Sequence, residues 1–285
     1  MKCVLILTDF SAAARCAAEQ ALFIAAQMNA EIWLVNVYPI TPYLPSVGSA
    51  VLQEPTAVQK RHDSMVKLNR EVRRLERIKL PGQRPVVRPI ALEGQLAECV
   101  AGLAHRKKSR LIAMGVSGKS YGDMLFSGDV KTVLQQVRCP ILATPGNRVS
   151  YGIHHVLFAT DLAAADEAVI GDLVDLTARL KARLTIGHVS PRVVIPDFAE
   201  ESSTSAFSQK IKSLYPATRH TSARATKVIE GLDTMQAETG VDIIALRYRK
   251  HPFWYHLFHE NPLKELLNKG NTSLLIFPDN AVEHD

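Results

Sequence analysis

The chain has 285 residues, 47% of them hydrophobic and 22% charged, with a formal net charge of +6. That balance excludes a disordered, collagen-like or coiled-coil chain and suits about two globular domains. No apolar run approaches the roughly 20 residues of a bilayer-spanning helix, so no membrane partner is expected.

The apolar start predicts a strand over residues 3–8, too short a run for a secretory leader. Helix 11–29, strand 31–38, helix 56–79, strand 86–91 and helix 95–107 follow by periodicity. Strand 110–114, helix 128–137 and strand 140–144 complete the first half. Short apolar strands alternating with amphipathic helices predict a parallel sheet covered on both faces and doubly wound. Ligands of such sheets sit beyond the carboxyl ends of the strands, where the strand order reverses. Attention therefore falls on Thr8-Asp9, Val37-Tyr38 and Gly115–Gly118.

The second half repeats the first. Residues 3–39 and 155–191 align without a gap at an offset of 152, each with an apolar strand ending in Thr-Asp (Thr8-Asp9, Thr160-Asp161). Leu111–Met114 parallels Ile243–Leu246, and Pro140–Pro145 parallels Ser273–Pro278. The expected domains are 1–147 and 148–285. They differ in charge, +8 in the first and −2 in the second. The cations of 60–88 lie on the outer face of a helix whose apolar stripe is Val58, Met65, Leu68, Val72 and Leu75; those of 106–110 fall at a helix C-terminus. Both patterns describe solvated faces, so nucleic acid is not expected as a partner. Cys3, Cys16, Cys99 and Cys139 form no CxxC pair, which suits a reducing cytoplasm.

The segment with most chemistry is Met114-Gly115-Val116-Ser117-Gly118-Lys119-Ser120, continuing to Ser127-Gly128-Asp129-Val130. As a phosphate loop of the Gly-Lys-Ser type it fails, because Ala113 and Met114 finish a strand and Gly122 and Gly128 interrupt the helix that should follow. As Gly115-x2-Gly118-x9-Gly128 it presents two backbone turns, with glycine where phosphate approaches too closely for a Cβ.

With Thr8-Asp9, this glycine spacing and the strand Cys139-Pro140-Ile141-Leu142 before Pro145, the chain resembles the universal stress protein family in its tandem form. The resemblance covers nearly the whole chain. It implies two doubly wound α/β domains, each a five-stranded parallel sheet flanked by helices, of the adenine nucleotide alpha hydrolase-like kind. It also implies a stress-adaptation sensor of ATP or a related adenine nucleotide, with Mg2+ accompanying the nucleotide, rather than a dedicated enzyme. Asp9, beside Leu7 and Thr8, would contact the adenosine, and Val37 would pack on the adenine. Met114, Gly115, Val116, Ser117 and Gly118, with Gly128, Asp129 and Val130, would surround the phosphates. The final strands of the two halves would pair edge to edge as a pseudo-dimer, with a homodimer of the whole chain left open.

Two departures qualify the resemblance. The family carries Ser or Thr after its last glycine, whereas this chain has Asp129, a carboxylate that either repels phosphate or steadies its helix. Arg247, Lys250 and Glu260 stand where the first half has Gly115, Gly118 and Gly128, so the second half is expected to have lost the ligand, with Asp161 kept as a helix N-terminal residue. Other features read blandly. His251, His256 and His259 fit no zinc template and lie among aromatic residues. No nucleophile–base set stands out. The Pro- and Ser-rich stretches 39–54 and 191–205 are expected as loops able to cover a site. Two alternatives remain: a slow ATPase or phosphotransferase using Lys119, and an interaction protein that binds no nucleotide.

Overall fold

A computed structural model describes residues 2–40, 56–116, 129–146, 152–191, 198–248 and 272–279. The first half contains β1 (Cys3–Leu7), α1 (Ala12–Met28), β2 (Glu31–Tyr38), α2 (Ala57–Glu76) and β3 (Val87–Glu93). It continues with α3 (Leu96–Lys107), β4 (Ser109–Val116), α4 (Asp129–Leu134) and β5 (Ile141–Pro145). The second half contains β6 (His155–Thr160), α5 (Asp166–Leu180), β7 (Arg183–Pro191), α6 (Phe198–Leu214), β8 (Arg219–Ala225), α7 (Val228–Thr239), β9 (Ile243–Arg247) and β10 (Ser273–Phe277).

These strands form one sheet in the order β3-β2-β1-β4-β5-β10-β9-β6-β7-β8. Neighbours run parallel everywhere except at the seam, where β5 and β10 pair antiparallel with Leu142 opposite Leu275. Each half therefore winds 3-2-1-4-5, and edge-to-edge pairing of the last strands joins them. Strand β1 is buried at every position, as a strand covered on both faces must be. Its side chains alternate between two cores. Cys3, Leu5 and Leu7 enter the core beneath α3, α4 and α7; Val4 and Ile6 enter the one beneath α1, α2, α5 and α6. Both cores cross the seam, through Leu274 and Ile276 on one face and Leu275 and Phe277 on the other.

The duplication extends to backbone detail. Phe10 and Leu162 both take left-handed conformations, φ 68° and 64°, in the turn after the first strand. In each, the preceding threonine hydroxyl accepts from that residue's N–H, at 3.0 Å for Thr8 and 2.9 Å for Thr160. Asn29 and Lys181 close α1 and α5 in the same left-handed cap.

Two expectations change. Residues 198–205, read as loop, begin α6. The run Ser202-Ser203-Thr204-Ser205 has poor intrinsic helix propensity, but Ile211 is buried and Phe207 packs on the core, so tertiary burial overrides it. Val58, assigned to the apolar stripe of α2, is 78% exposed; the buried stripe is Ser64, Leu68, Glu71 and Leu75. The stretch 41–55, including most of the first covering loop, lies outside the described residues, as do His251, His256 and His259. Among the described residues no helix is long and apolar enough to cross a membrane.

The buried imidazole of His155 at the start of β6 makes stability depend on pH. Its Nδ1 faces the Thr239 carbonyl at 3.1 Å and must donate, so Nε2 accepts from the Thr185 hydroxyl at 2.8 Å. Burial holds His155 below its ordinary value, and burial with Lys212 nearby does the same to His220. The unfolded chain therefore binds more protons, and the stability these groups lend is full above the ordinary histidine value of 6.5 and lost as pH falls below it. Calorimetric melting at pH 7.5 and pH 5.5 will show a lower melting temperature in acid. The drop will be smaller in His155→Gln than in the wild type.

Candidate functional site

The strand order reverses between β1 and β4 in the first half, and between β6 and β9 in the second. At the first switch point, Leu7 lies opposite Val35 on one side and Met114 on the other. That register brings Thr8-Asp9, Val37 and the end of β4 to one end of the sheet. Asp9 is exposed, Val37 is half-buried, and the Asp9 carboxylate accepts the Ser11 N–H at 2.9 Å. Ser11 in turn caps α1 by accepting from Ala14 N. The carboxylate is thus oriented by the turn that follows it and stays exposed.

A polar relay missed in the sequence reading holds this turn. Asn36 of β2 donates from Nδ2 to the Thr8 carbonyl at 2.7 Å, and Ser64 of α2 donates to Asn36 Oδ1 at 2.7 Å. In the second half His188, at the same offset of 152, meets the Thr160 carbonyl through Nδ1 at 2.9 Å. A polar residue at matching positions of the two repeats, Asn36 and His188, was the available signal.

Leu7, Met114, Val116 and Val130 are core side chains, each less than 8% exposed, so only their backbone faces the strand ends. Gly115 and Val116, expected in a loop, lie in β4 opposite Thr144 and Pro145. A Cβ on Gly115 would stand 2.2 Å from both the Ala13 carbonyl carbon and the Ala14 nitrogen. The missing side chain thus has a packing cause: the first turn of α1 rests on β4 there. Asp129 opens α4; Ser117, Gly118 and Gly128 lie outside the described residues.

The second switch point is built differently. Arg247, in the place of Gly115, is 6% exposed, and its Nε lies 3.0 Å from Asp166 Oδ1, off the axis of a well-aligned hydrogen bond. Asp166 is 1% exposed, and its other oxygen accepts the Thr160 hydroxyl at 2.7 Å. Asp166 aligns with Ala14, the residue whose nitrogen a Gly115 side chain would strike. The glycine–alanine contact of one half is thus an arginine–aspartate pair in the other. Asp161 accepts from Ala163 N at 3.4 Å, before α5 begins at Asp166; it belongs to the turn rather than to the helix N-terminus.

The profile of the universal stress protein family matches residues 1–145. A universal stress protein of Methanocaldococcus jannaschii is 28% identical over 144 residues, covering 50% of this chain and 80% of that protein. Among solved structures, a universal stress protein from Archaeoglobus fulgidus DSM 4304 aligns over 96% of this chain and 97% of its own, with TM-score 0.66 and 13% identity. A protein of unknown function from Pseudomonas aeruginosa PAO1 covers 99% and 94%, with TM-score 0.62 and 13% identity. At such identities the structural likenesses speak for the fold. With just over half its length matched by the family profile, the chain belongs to the universal stress protein family.

Proposed function

We propose that residues 1–147 form a sensor unit that binds ATP or a related adenine nucleotide, and that residues 148–285 form a unit whose equivalent site is filled by its own side chains. The observation that carries this reading is the contrast between the two switch points. In the first half an exposed Asp9 and a half-buried Val37 lie at the same end of the sheet, and Gly115 packs under α1 with no buried ion pair beside it. In the second, Arg247 and Asp166 take the corresponding space as a buried pair. A half-buried apolar residue next to an open carboxylate suits a purine nucleoside, flat and apolar on its faces with hydroxyls on its sugar. The glycine-rich sequence that follows β4 supplies the residues expected to meet the phosphates. The unit senses, in this reading, because a ligand shifts the ensemble only through its differential affinity for two states.

Calorimetric titration of ATP, AMP and cyclic AMP, with and without Mg2+, tests it. Wild type is expected to bind at least one of them saturably, and Asp129→Ser to bind it more tightly. A carboxylate about 4 Å from a phosphate costs about 1 kcal/mol in water and about 4 at an intermediate dielectric, so the gain spans roughly fivefold to a thousandfold. Silence from both proteins removes the nucleotide reading and leaves an interaction protein.

A further inference from the structure

At the seam between the halves a cleft of about 210 Å3 opens between the amino ends of β1, β4 and β5 and the flank of α5. The duplication supplies an internal control for it. Asp172, Asp175 and Leu176 of α5 correspond to Gln20, Phe23 and Ile24 of α1. On the α1 side the seam is closed. Gln20 Oε1 accepts from the Thr144 and Ser273 hydroxyls, both at 2.7 Å, and Gln20 and Ile24 are buried. On the α5 side Asp172 and Asp175 are exposed, and the cleft lies beside them. The seam is open where the repeat broke its own pattern.

The cleft has an apolar floor and a cationic rim. Leu111, Leu275 and Phe277 form the floor, all buried, with Leu176 at one side. Cys139 adds a neutral wall, its thiol pushed up to about 11 by burial. Lys2, Arg110 and Arg138 line the first-half side, and none of them joins a salt bridge among the described residues. On the opposite wall Asp175 and Arg179 sit one helical turn apart, one charge of each sign. Asp172 already has a partner of its own. The charged groups of the lining sum to +2, with three of the cations on one wall above a surface that excludes water. Guanidinium groups match a carboxylate by paired N–H donors, and a nearby low-dielectric wall strengthens their field.

We propose that this cleft binds a small amphipathic carboxylate. Its short aliphatic or single-ring body lies on Leu111, Leu275 and Phe277, and its anionic head is held by Arg110 and Arg138. The volume is below that of pockets for drug-sized ligands, which restricts the body to fragment size. For such a ligand a Kd between about 10 µM and 1 mM is expected. The site stands apart from the switch point of the first half, so it does not depend on the nucleotide reading.

Fluorine NMR of full-length protein with 4-(trifluoromethyl)benzoate tests the proposal. Wild type should broaden and shift the probe resonance in a titration that fits a Kd below about 1 mM. The alcohol and amine of the same ring, and trifluoroacetate, which lacks the ring, should bind at least about tenfold more weakly. Arg110→Ser/Arg138→Ser, both at exposed positions, should keep the wild-type melting temperature and lose at least about tenfold in probe affinity. Added ATP should leave the probe signal unchanged. Absence of broadening at 2 mM probe, equal binding of the alcohol or amine, displacement by ATP, or full affinity in the folded double variant would each overturn the assignment.

Discussion

Replacing Asp166 with alanine will cost the fold about 3–5 kcal/mol, the loss typical when one partner of a buried ion pair is removed and the other stays behind. Arg247 is 6% exposed, and its second carboxylate, Asp279, is 3.7 Å from Nη1 and largely in solvent. The guanidinium would remain in a low-dielectric setting with too little compensation, and the Thr160 hydroxyl would lose its acceptor. For a chain of this size the melting temperature should fall by roughly 10 °C. The double variant Asp166→Ala/Arg247→Leu should recover most of that loss, because an apolar side chain of similar reach removes the stranded charge. Calorimetry on the two single variants and the double measures the coupling. A double variant no more stable than Asp166→Ala would mean that the pair does not act as a unit. Any nucleotide affinity of the first half should be unaffected in all three.

Gly115→Ala will destabilise the first half by about 3 kcal/mol, at the upper end of ordinary overpacking. The added carbon would meet the backbone of Ala13 and Ala14 at 2.2 Å, and neither atom belongs to a flexible side-chain tip that could swing away. Either α1 lifts from β4 or β4 bends from the sheet. Both moves disturb the turn that orients Asp9. Urea unfolding should show a lower midpoint with an unchanged slope. Any nucleotide affinity of the first half should fall with it, even though the substitution adds no charge and occupies no phosphate position. An alanine variant as stable as wild type would contradict the close approach of helix and strand.

Much of the architecture was legible from residue patterns. Strands such as β1 and β2 are apolar on both faces and end at polar or Pro residues, so their limits were read within one or two positions. The Ala-rich helix 11–29 was equally clear, since alanine and unbranched residues favour helix and small side chains let it lie close to the sheet. Gly115 was noticed, but the reason for it was misassigned: a glycine beside a ligand and a glycine beneath a helix look identical in one dimension. Arg247 was noticed as the counterpart of Gly115, whereas its partner Asp166, 81 residues earlier, was not. Asn36 and Ser64 escaped notice because Asn36 interrupts no period of its strand and Ser64 is one of many polar residues on α2.

The order of apolar and polar residues determined the repeated α/β units, the parallel sense of the strands, and which half kept glycines near its switch point. These follow from local propensity and from burial of strand faces, both of which leave a periodic trace in the chain. The tertiary structure alone decided that the first turn of α1 rests on Gly115, that Arg247 pairs with Asp166, and that the seam stays open beside α5. Each of those is a contact between segments remote in sequence. Its energy depends on packing distance and on exclusion of water, and neither is written in the order of residues along one strand or helix.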